Sequence, residues 1–334
     1  MPEWGPRHEI AAKRLQRILS THIVANARIL EQKISDAGPN NQRIDPHILT
    51  EVRNALTQRR VLQQIRQNNV PWYHLISTPT AAVERRLAEL GKLHSQTINP
   101  QFIGLLGQVL EIAIFRALKG QKNLAFFGNF LDLDTHDDST LYSKEDPPTS
   151  LNGQRIPGKR KLDFLVGHPQ AGYAGIEAKN IRPWIYPTHE EIPKMLLDCC
   201  SLDVVPILIA RRIHYSIFSV LNPCGVIIHQ TFNQLYPETE RELAEQVKDK
   251  RLLGYHDVRL GNTPDKRLIK FIHQDLPKLL PGARQRFDAF HDLLYRYADG
   301  EHSYASFAAR VKHRMRGESE DLPELEPEIW DDNY

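Results

Sequence analysis

Residues 161–180 read KLDFLVGHPQAGYAGIEAKN. Two apolar runs, KLDFLVG and YAGIEAKN, flank HPQAG, and this spacing predicts two adjacent strands joined by a short turn. Both strands carry charge: Asp163 lies in the first, and Glu177 and Lys179 lie in the second. A charge taken out of water without a partner is costly, so charges in buried strands point to partners or a task. The period of two along a strand puts Glu177 and Lys179 on one face and Ala178 on the other. An antiparallel pairing across the turn brings Asp163 to the same end of the sheet. Carboxylate oxygens suit a hard cation such as Mg²⁺ or Mn²⁺. A bound divalent ion activates water and neutralises charge on a scissile phosphate, and a nearby lysine orients that water or stabilises the developing charge.

Around this pair the chain alternates. The run QFIGLLGQVLEIAIFRALKG, residues 101–120, predicts a buried helix, apolar almost all round except for Glu111. NLAFFGNF predicts a strand, and residues 131–160 read as a long polar loop or insertion. Within it, Asp132, Asp134, Asp137 and Asp138 lack the glycine and distal glutamate of an EF-hand loop. After Asn180 come a helix beginning near Thr188, the apolar strand VVPILIARR, a short helix and the strand VIIHQTF. Glu190 and Glu191 read as first-turn charges favoured by the helix dipole. The whole order is helix, three strands, helix, strand, helix, strand.

Asp163 followed about a dozen residues later by Glu177-Ala178-Lys179, within that order, resembles the PD-(D/E)xK phosphodiesterase superfamily over residues 101–230. Its members include many restriction endonucleases and junction resolvases. One departure is Leu162, where the name of the motif has proline. The resemblance implies a restriction-endonuclease-like mixed α/β sheet flanked by helices. It also implies Mg²⁺-dependent (or Mn²⁺-dependent) hydrolysis of DNA, with Asp163 and Glu177 as metal ligands and Lys179 as the catalytic lysine. Glu111 sits where many members carry a glutamate that reaches the metal directly or through water. By the same analogy the protein works as a homodimer in restriction or anti-phage defence, within a multi-protein system. A catalytically inactive DNA-binding scaffold with a nuclease-like core, and a ribonuclease, remain open alternatives at this point.

The N-terminal region has another pattern. Residues 9–34 carry helical periodicity, and a second helix follows Asp45 and Pro46. Two short strand-like runs then surround Asn68-Asn69, a hairpin signal. Helix, turn, helix and hairpin resemble a winged-helix DNA-binding domain over residues 15–80. That resemblance implies a recognition helix over 46–60, with Arg53, Arg59 and Arg60 facing double-stranded DNA and Arg66 in the wing. A helical interaction domain satisfies the same pattern. Arg182, with Trp184 and Tyr186, is expected at the mouth of the site, where arginine contacts phosphate and aromatics stack on bases; a packed edge loop is the alternative.

The expected layout is then a winged-helix-like domain over 1–80 and a connecting helix and linker over 81–100. The nuclease core spans 101–236, a helical region 237–316 and an acidic disordered tail 317–334. That tail holds eight of the 41 acidic residues and no Lys or Arg, which leaves 33 acids against 43 bases in the rest. A basic body suits a polyanionic partner. No signal-peptide pattern opens the chain, and no uninterrupted apolar run approaches the ~20 residues of a bilayer span. The three cysteines form no zinc spacing and read as buried thiols, so the expected location is the cytoplasm. P-loop, Rossmann, GxSxG and HExxH patterns are absent.

Overall fold

The computed structural model describes residues 4–36, 43–136 and 139–325. The chain is mixed α/β and divides into two compact units. One holds the described residues up to Ile103 together with Glu240–Val258; the other holds Gly104–Thr239 and the described residues from Arg259 onward.

The first unit runs α1 (Pro6–His22), β1 (Ala25–Asn26), α2 (Ala27–Ile34), α3 (Pro46–Gln58), β2 (Leu62–Gln67), β3 (Val70–Leu75) and α4 (Thr80–Thr97). Its sheet has the order β1-β3-β2, antiparallel throughout. Asn68 and Asn69 both take positive φ, 52° and 62°, which is the two-residue turn whose twist matches paired strands. Leu15, Leu19, Leu30, Leu49, Val52 and Trp72 close the core of this unit.

The single helix expected over 9–34 is instead two helices with a strand between them. Ile23 turns to φ 70°, Ala25 and Asn26 pair with Tyr73 and Trp72, and the Asn26 side chain caps α2 by accepting from the Ile29 N–H at 3.0 Å. Periodicity alone cannot see this break, because Ile23 and Ala27 keep the helical phase. The asparagine cap was the signal to read.

The helical region expected over 237–316 is also divided. Residues 240–258, with α8 (Arg241–Lys248), belong to the first unit. Gln32 Nε2 meets His256 Nδ1 at 3.0 Å, Lys33 Nζ donates to the Lys250 carbonyl at 2.7 Å, and Arg86 donates to the Arg251 carbonyl. Sequence distance hides such a return.

In chain order α5 (Pro100–Lys119) follows α4. It is long and apolar enough to cross a membrane, but 61% of its most apolar window is buried inside the protein, so its character is that of a core helix.

Next come the short strands β4 (Ala125–Phe127), β5 (Asn129–Phe130), β6 (Lys144–Glu145), β7 (Ser150–Leu151) and β8 (Gln154–Arg155). Then follow β9 (Phe164–His168), β10 (Gly172–Lys179), α6 (Glu191–Leu202), β11 (Val205–Ala210), α7 (Tyr215–Leu221), β12 (Ile227–Gln230) and β13 (Gln234–Tyr236). β14 (Val258–Leu260) pairs with β13. α9 (Lys266–Lys270) passes through one π-type turn into α10 (Leu276–Ala298), and α11 (Tyr304–Arg316) closes the helical part.

The main sheet has the order β12-β11-β10-β9-β4. β10, β11 and β12 are parallel, while β9 and β4 run antiparallel to their neighbours. Every residue of β11 is buried, as expected for a central strand with parallel neighbours on both sides. The two crossovers through α6 and α7 bring the C-terminal ends of β10, β11 and β12 to one edge. Phe287, Phe290, Leu293, Leu294 and Tyr297 of α10 lie in this unit's own core.

The described part of the acidic tail, residues 317–325, has contacts with α11. Over 317–325, Glu320 pairs with Arg314 at 2.5 Å, the Leu322 carbonyl accepts from Arg310 at 2.7 Å, and the Leu325 N–H donates to Ser306 Oγ at 2.6 Å. Composition favours disorder, but three basic or hydroxyl side chains of α11 supply local partners. Residues 326–334 lie outside the described residues, as do Asp137 and Asp138.

Candidate functional site

Antiparallel pairing of β9 with β10 in the register Phe164↔Ile176 sets Asp163 beside Glu177. The pairing continues past the strand end: the Asp163 N–H donates to the Ile176 carbonyl at 3.1 Å, and Asp163 Oδ2 accepts from the Ala178 N–H at 2.7 Å. The backbone of the Glu-Ala-Lys segment thus fixes the aspartate carboxylate directly. Glu177 and Lys179 share a face of β10, and Lys179 Nζ contacts Glu177 Oε1 at 2.7 Å.

Three further groups join them. Glu191, at the start of α6, meets Lys179 Nζ at 2.5 Å, so it is part of the cluster rather than a mere first-turn charge. Glu111 of α5 meets Lys144 Nζ at 2.5 Å, and that ammonium lies 3.6 Å from Asp163 Oδ1. Lys144 belongs to β6, inside the segment that sequence presents as a polar loop. The segment is tied to α5 by Gln108, whose side chain donates to the Tyr142 carbonyl at 3.0 Å and accepts from the Tyr142 N–H at 2.7 Å. Asp132 lies beside the same strand and accepts from the Ser143 N–H at 3.1 Å, a structural contact.

The cluster holds more carboxylates than ammoniums. Burial and the neighbouring Asp163 push the Glu177 carboxyl up to about 8, against the pull of Lys179. The same two causes raise Glu111. Burial pulls Lys144 and Lys179 down, but their carboxylate partners outweigh it and both ammoniums titrate above the usual lysine range. Glu111, Asp163, Glu177 and Glu191, fully ionised, exceed the two lysines by two negative charges. The raised Glu177 carboxyl favours its protonated form, which lowers this charge. A divalent cation would relieve it without the proton. Hard oxygen donors and an uncompensated charge of this size fit Mg²⁺ or Mn²⁺, with Asp163, Glu177 and Glu111 as the available ligands. Among the described residues, no three Asp, Glu, His or Cys side chains are already closed into a ligand cage; lysine ammoniums stand among the carboxylates instead.

Asn180, unremarked in the sequence, fixes the end of β10. Its side chain is buried and donates to the carbonyls of Leu106 at 2.6 Å and Leu235 at 2.7 Å, while its Oδ1 accepts from the Leu235 N–H at 3.0 Å. Truncation to Ala would leave two carbonyls and one N–H without these partners. Asn180→Ala should therefore lower stability by about 3 kcal/mol. A thermal or urea melt checks this; a loss within about 0.5 kcal/mol would show that water replaces the clamp.

The residues expected to meet nucleic acid divide. Arg59, Arg60 and Arg66 are exposed. Arg53 is not: it is only 4% exposed, and its guanidinium lies 4.9 Å from the Tyr73 ring centroid, so it packs into the first unit. Its helical position borders the buried stripe, and a long side chain can turn inward over an aromatic face. Arg182 is half-buried and donates to Gln234 at 3.3 Å. Trp184 and Tyr186 are buried, Tyr186 stacking on His214 at 5.0 Å, so they serve the packed edge loop and are not available to stack on bases.

Another aromatic occupies the same edge. Phe232 follows β12, takes φ 61°, is 37% exposed, and carries the guanidiniums of Arg212 at 5.0 Å and Arg267 at 5.3 Å over its ring. No sequence pattern marks it.

No family model matches the chain, and neither a curated protein nor a solved structure gives a significant match.

Proposed function

We propose that the protein is a Mg²⁺-dependent endonuclease of the PD-(D/E)xK type, acting on double-stranded DNA. The observation that carries this is the convergence of Asp163, Glu177 and Lys179 at one end of β9 and β10, with Glu111 reaching the same cluster. The order α5-β4-β9-β10-α6-β11 and the mixed sheet support a restriction-endonuclease-like core. Asp163, Glu177 and Glu111 are the ligands of the divalent ion, which supplies charge neutralisation and an activated water. Lys179, tethered by Glu191, orients the attacking water and stabilises negative charge on the phosphate. Attack at phosphorus expels one ester oxygen and leaves a phosphomonoester and a hydroxyl.

The first unit, with helices ahead of a tight hairpin, supports a winged-helix-like DNA-binding role in which Arg59, Arg60 and Arg66 meet phosphates. Arg182, Arg212 and Arg267, at or flanking the parallel strand ends, are candidates for the substrate strand near the cut. A cytoplasmic, homodimeric protein of a defence system remains part of this proposal; the buried free thiols of Cys199, Cys200 and Cys224 suit a reducing compartment. One observation favours an inactive scaffold instead: Lys144 already pairs with two of the proposed ligands.

The test is incubation with plasmid, linear duplex, single-stranded DNA and RNA in Mg²⁺. Nicking or linearisation of plasmid supports the proposal. Cleavage of RNA alone makes the enzyme a ribonuclease, and no cleavage of any substrate favours the scaffold.

Replacing Arg59, Arg60 and Arg66 together with Ala should weaken duplex binding at least tenfold at low salt. It should also flatten the log K against log salt slope by about 3, since each phosphate contact contributes about 0.9. Arg53→Ala should instead lower the melting temperature and leave the salt slope unchanged. A fluorescence-anisotropy salt series separates the two, and an unaltered slope in the triple variant removes these arginines from the interface.

A further inference from the structure

We infer that Lys144 is a resident counter-cation of the acidic cluster, which a divalent ion must displace in order to bind, so that the segment carrying it sets the metal affinity. The inference rests on the nuclease proposal for the identity of the ligands, but metal binding is read without any substrate. Its ammonium lies between carboxylates from two different elements, 2.5 Å from Glu111 Oε2 on α5 and 3.6 Å from Asp163 Oδ1 before β9. Both are assigned ligands. The side chain is only 12% exposed, and its ammonium sits 4.9 Å from the Phe164 ring centroid and 5.8 Å from that of Phe130.

A lysine placed there for packing alone would be poorly chosen, because an apolar side chain of similar length fills such a space without desolvating a charge. What the ammonium supplies is positive charge at the point where two carboxylates approach. A divalent ion supplies the same charge twice over, and the two cations repel at a separation of a few ångströms. One must leave.

Lys179 is differently placed. Glu191 gives it a second carboxylate at 2.5 Å, so it keeps a partner when Glu177 turns to a metal. Lys144 also feels Asp146, but that carboxylate lies on its own segment and pairs with Lys161, and Lys144 has a route out. It sits on the two-residue strand β6, paired only with β5 and pinned to α5 through Tyr142 and Gln108. Short strands of this kind open at little cost compared with the core sheet. Metal entry and release of the 142–146 segment are thus one event.

The experiment is calorimetric titration of the full chain with Mn²⁺ alone, no nucleic acid present. Lys144→Met should bind Mn²⁺ at least tenfold more tightly than wild type. Lys144→Arg, which keeps the charge, should bind like wild type. So should Lys161→Met, which removes an exposed lysine that pairs with Asp146, 2.6 Å away, two residues along the same segment. Equal or weaker binding by Lys144→Met, or no binding by any variant, overturns the inference.

A second measurement needs no variant. Hydrogen exchange at the amides of residues 142–146 in wild type should speed up at saturating Mn²⁺, and unchanged or slowed exchange there overturns it. The two proposals fail separately. Cleavage by wild type with unaltered affinity in Lys144→Met keeps the nuclease and discards the counter-cation. Tightened Mn²⁺ binding without cleavage of any nucleic acid does the reverse.

Discussion

Asp163→Ala, Glu177→Gln and Lys179→Ala should each reduce single-turnover cleavage of a labelled duplex by about a thousandfold or more, the usual scale for a metal ligand or an electrostatic stabiliser. Their effects on stability should diverge. Glu177 is half-buried, and its carboxyl is pushed toward its neutral form by desolvation and by Asp163. Glu177→Gln keeps the shape and removes the strain, so its melting temperature should match or exceed that of wild type. Lys179→Ala leaves Glu177 and Glu191 without their shared ammonium and should melt lower. Asp163→Ala removes the acceptor of the Ala178 N–H and should also melt lower. A cluster built only for stability would instead lose stability in all three. Wild-type cleavage by any one of them, in a clean preparation, would remove that residue from the site.

Gly225→Ala should destabilise the second unit by about 4 kcal/mol without touching the acidic cluster. Gly225 ends the turn between α7 and β12 at φ 89°, where an L side chain is strained. A Cβ there would collide with the Ala283 carbonyl and come within 2.5 Å of the Phe287 backbone nitrogen, both on α10. Backbone of a packed 23-residue helix cannot swing aside as a side-chain tip can. For a unit of this size the loss corresponds to a fall of about 10 °C in melting temperature. A fall of less than 3 °C would mean that α10 shifts to make room.

The sequence carried the second unit well because its pattern is local. Apolar runs of strand length, punctuated by turn formers, locate β10, β11 and β12 to within two residues and β9 to within three. The Glu177–Lys179 face follows from the period of two alone. Lys144 and Glu191 were not legible, since each reaches the cluster through a chain path that no spacing encodes. Lys144 lies 19 residues before Asp163 in a segment whose composition says only loop. Asn180 was hidden for a similar reason: its partners, Leu106 and Leu235, are 74 and 55 residues away. In the first unit the break at Ile23 was masked by apolar residues that keep helical phase. The inward turn of Arg53 was invisible because a guanidinium is read by default as solvent-seeking.

The most direct test of the central claim is duplex cleavage by the full wild-type chain after exhaustive chelation, followed by titration with Mg²⁺ or Mn²⁺. No cleavage is expected in EDTA, and cleavage should return as either ion is added, saturating with metal concentration. Cleavage that persists undiminished in EDTA, or none at any metal concentration on any nucleic acid, would contradict that claim.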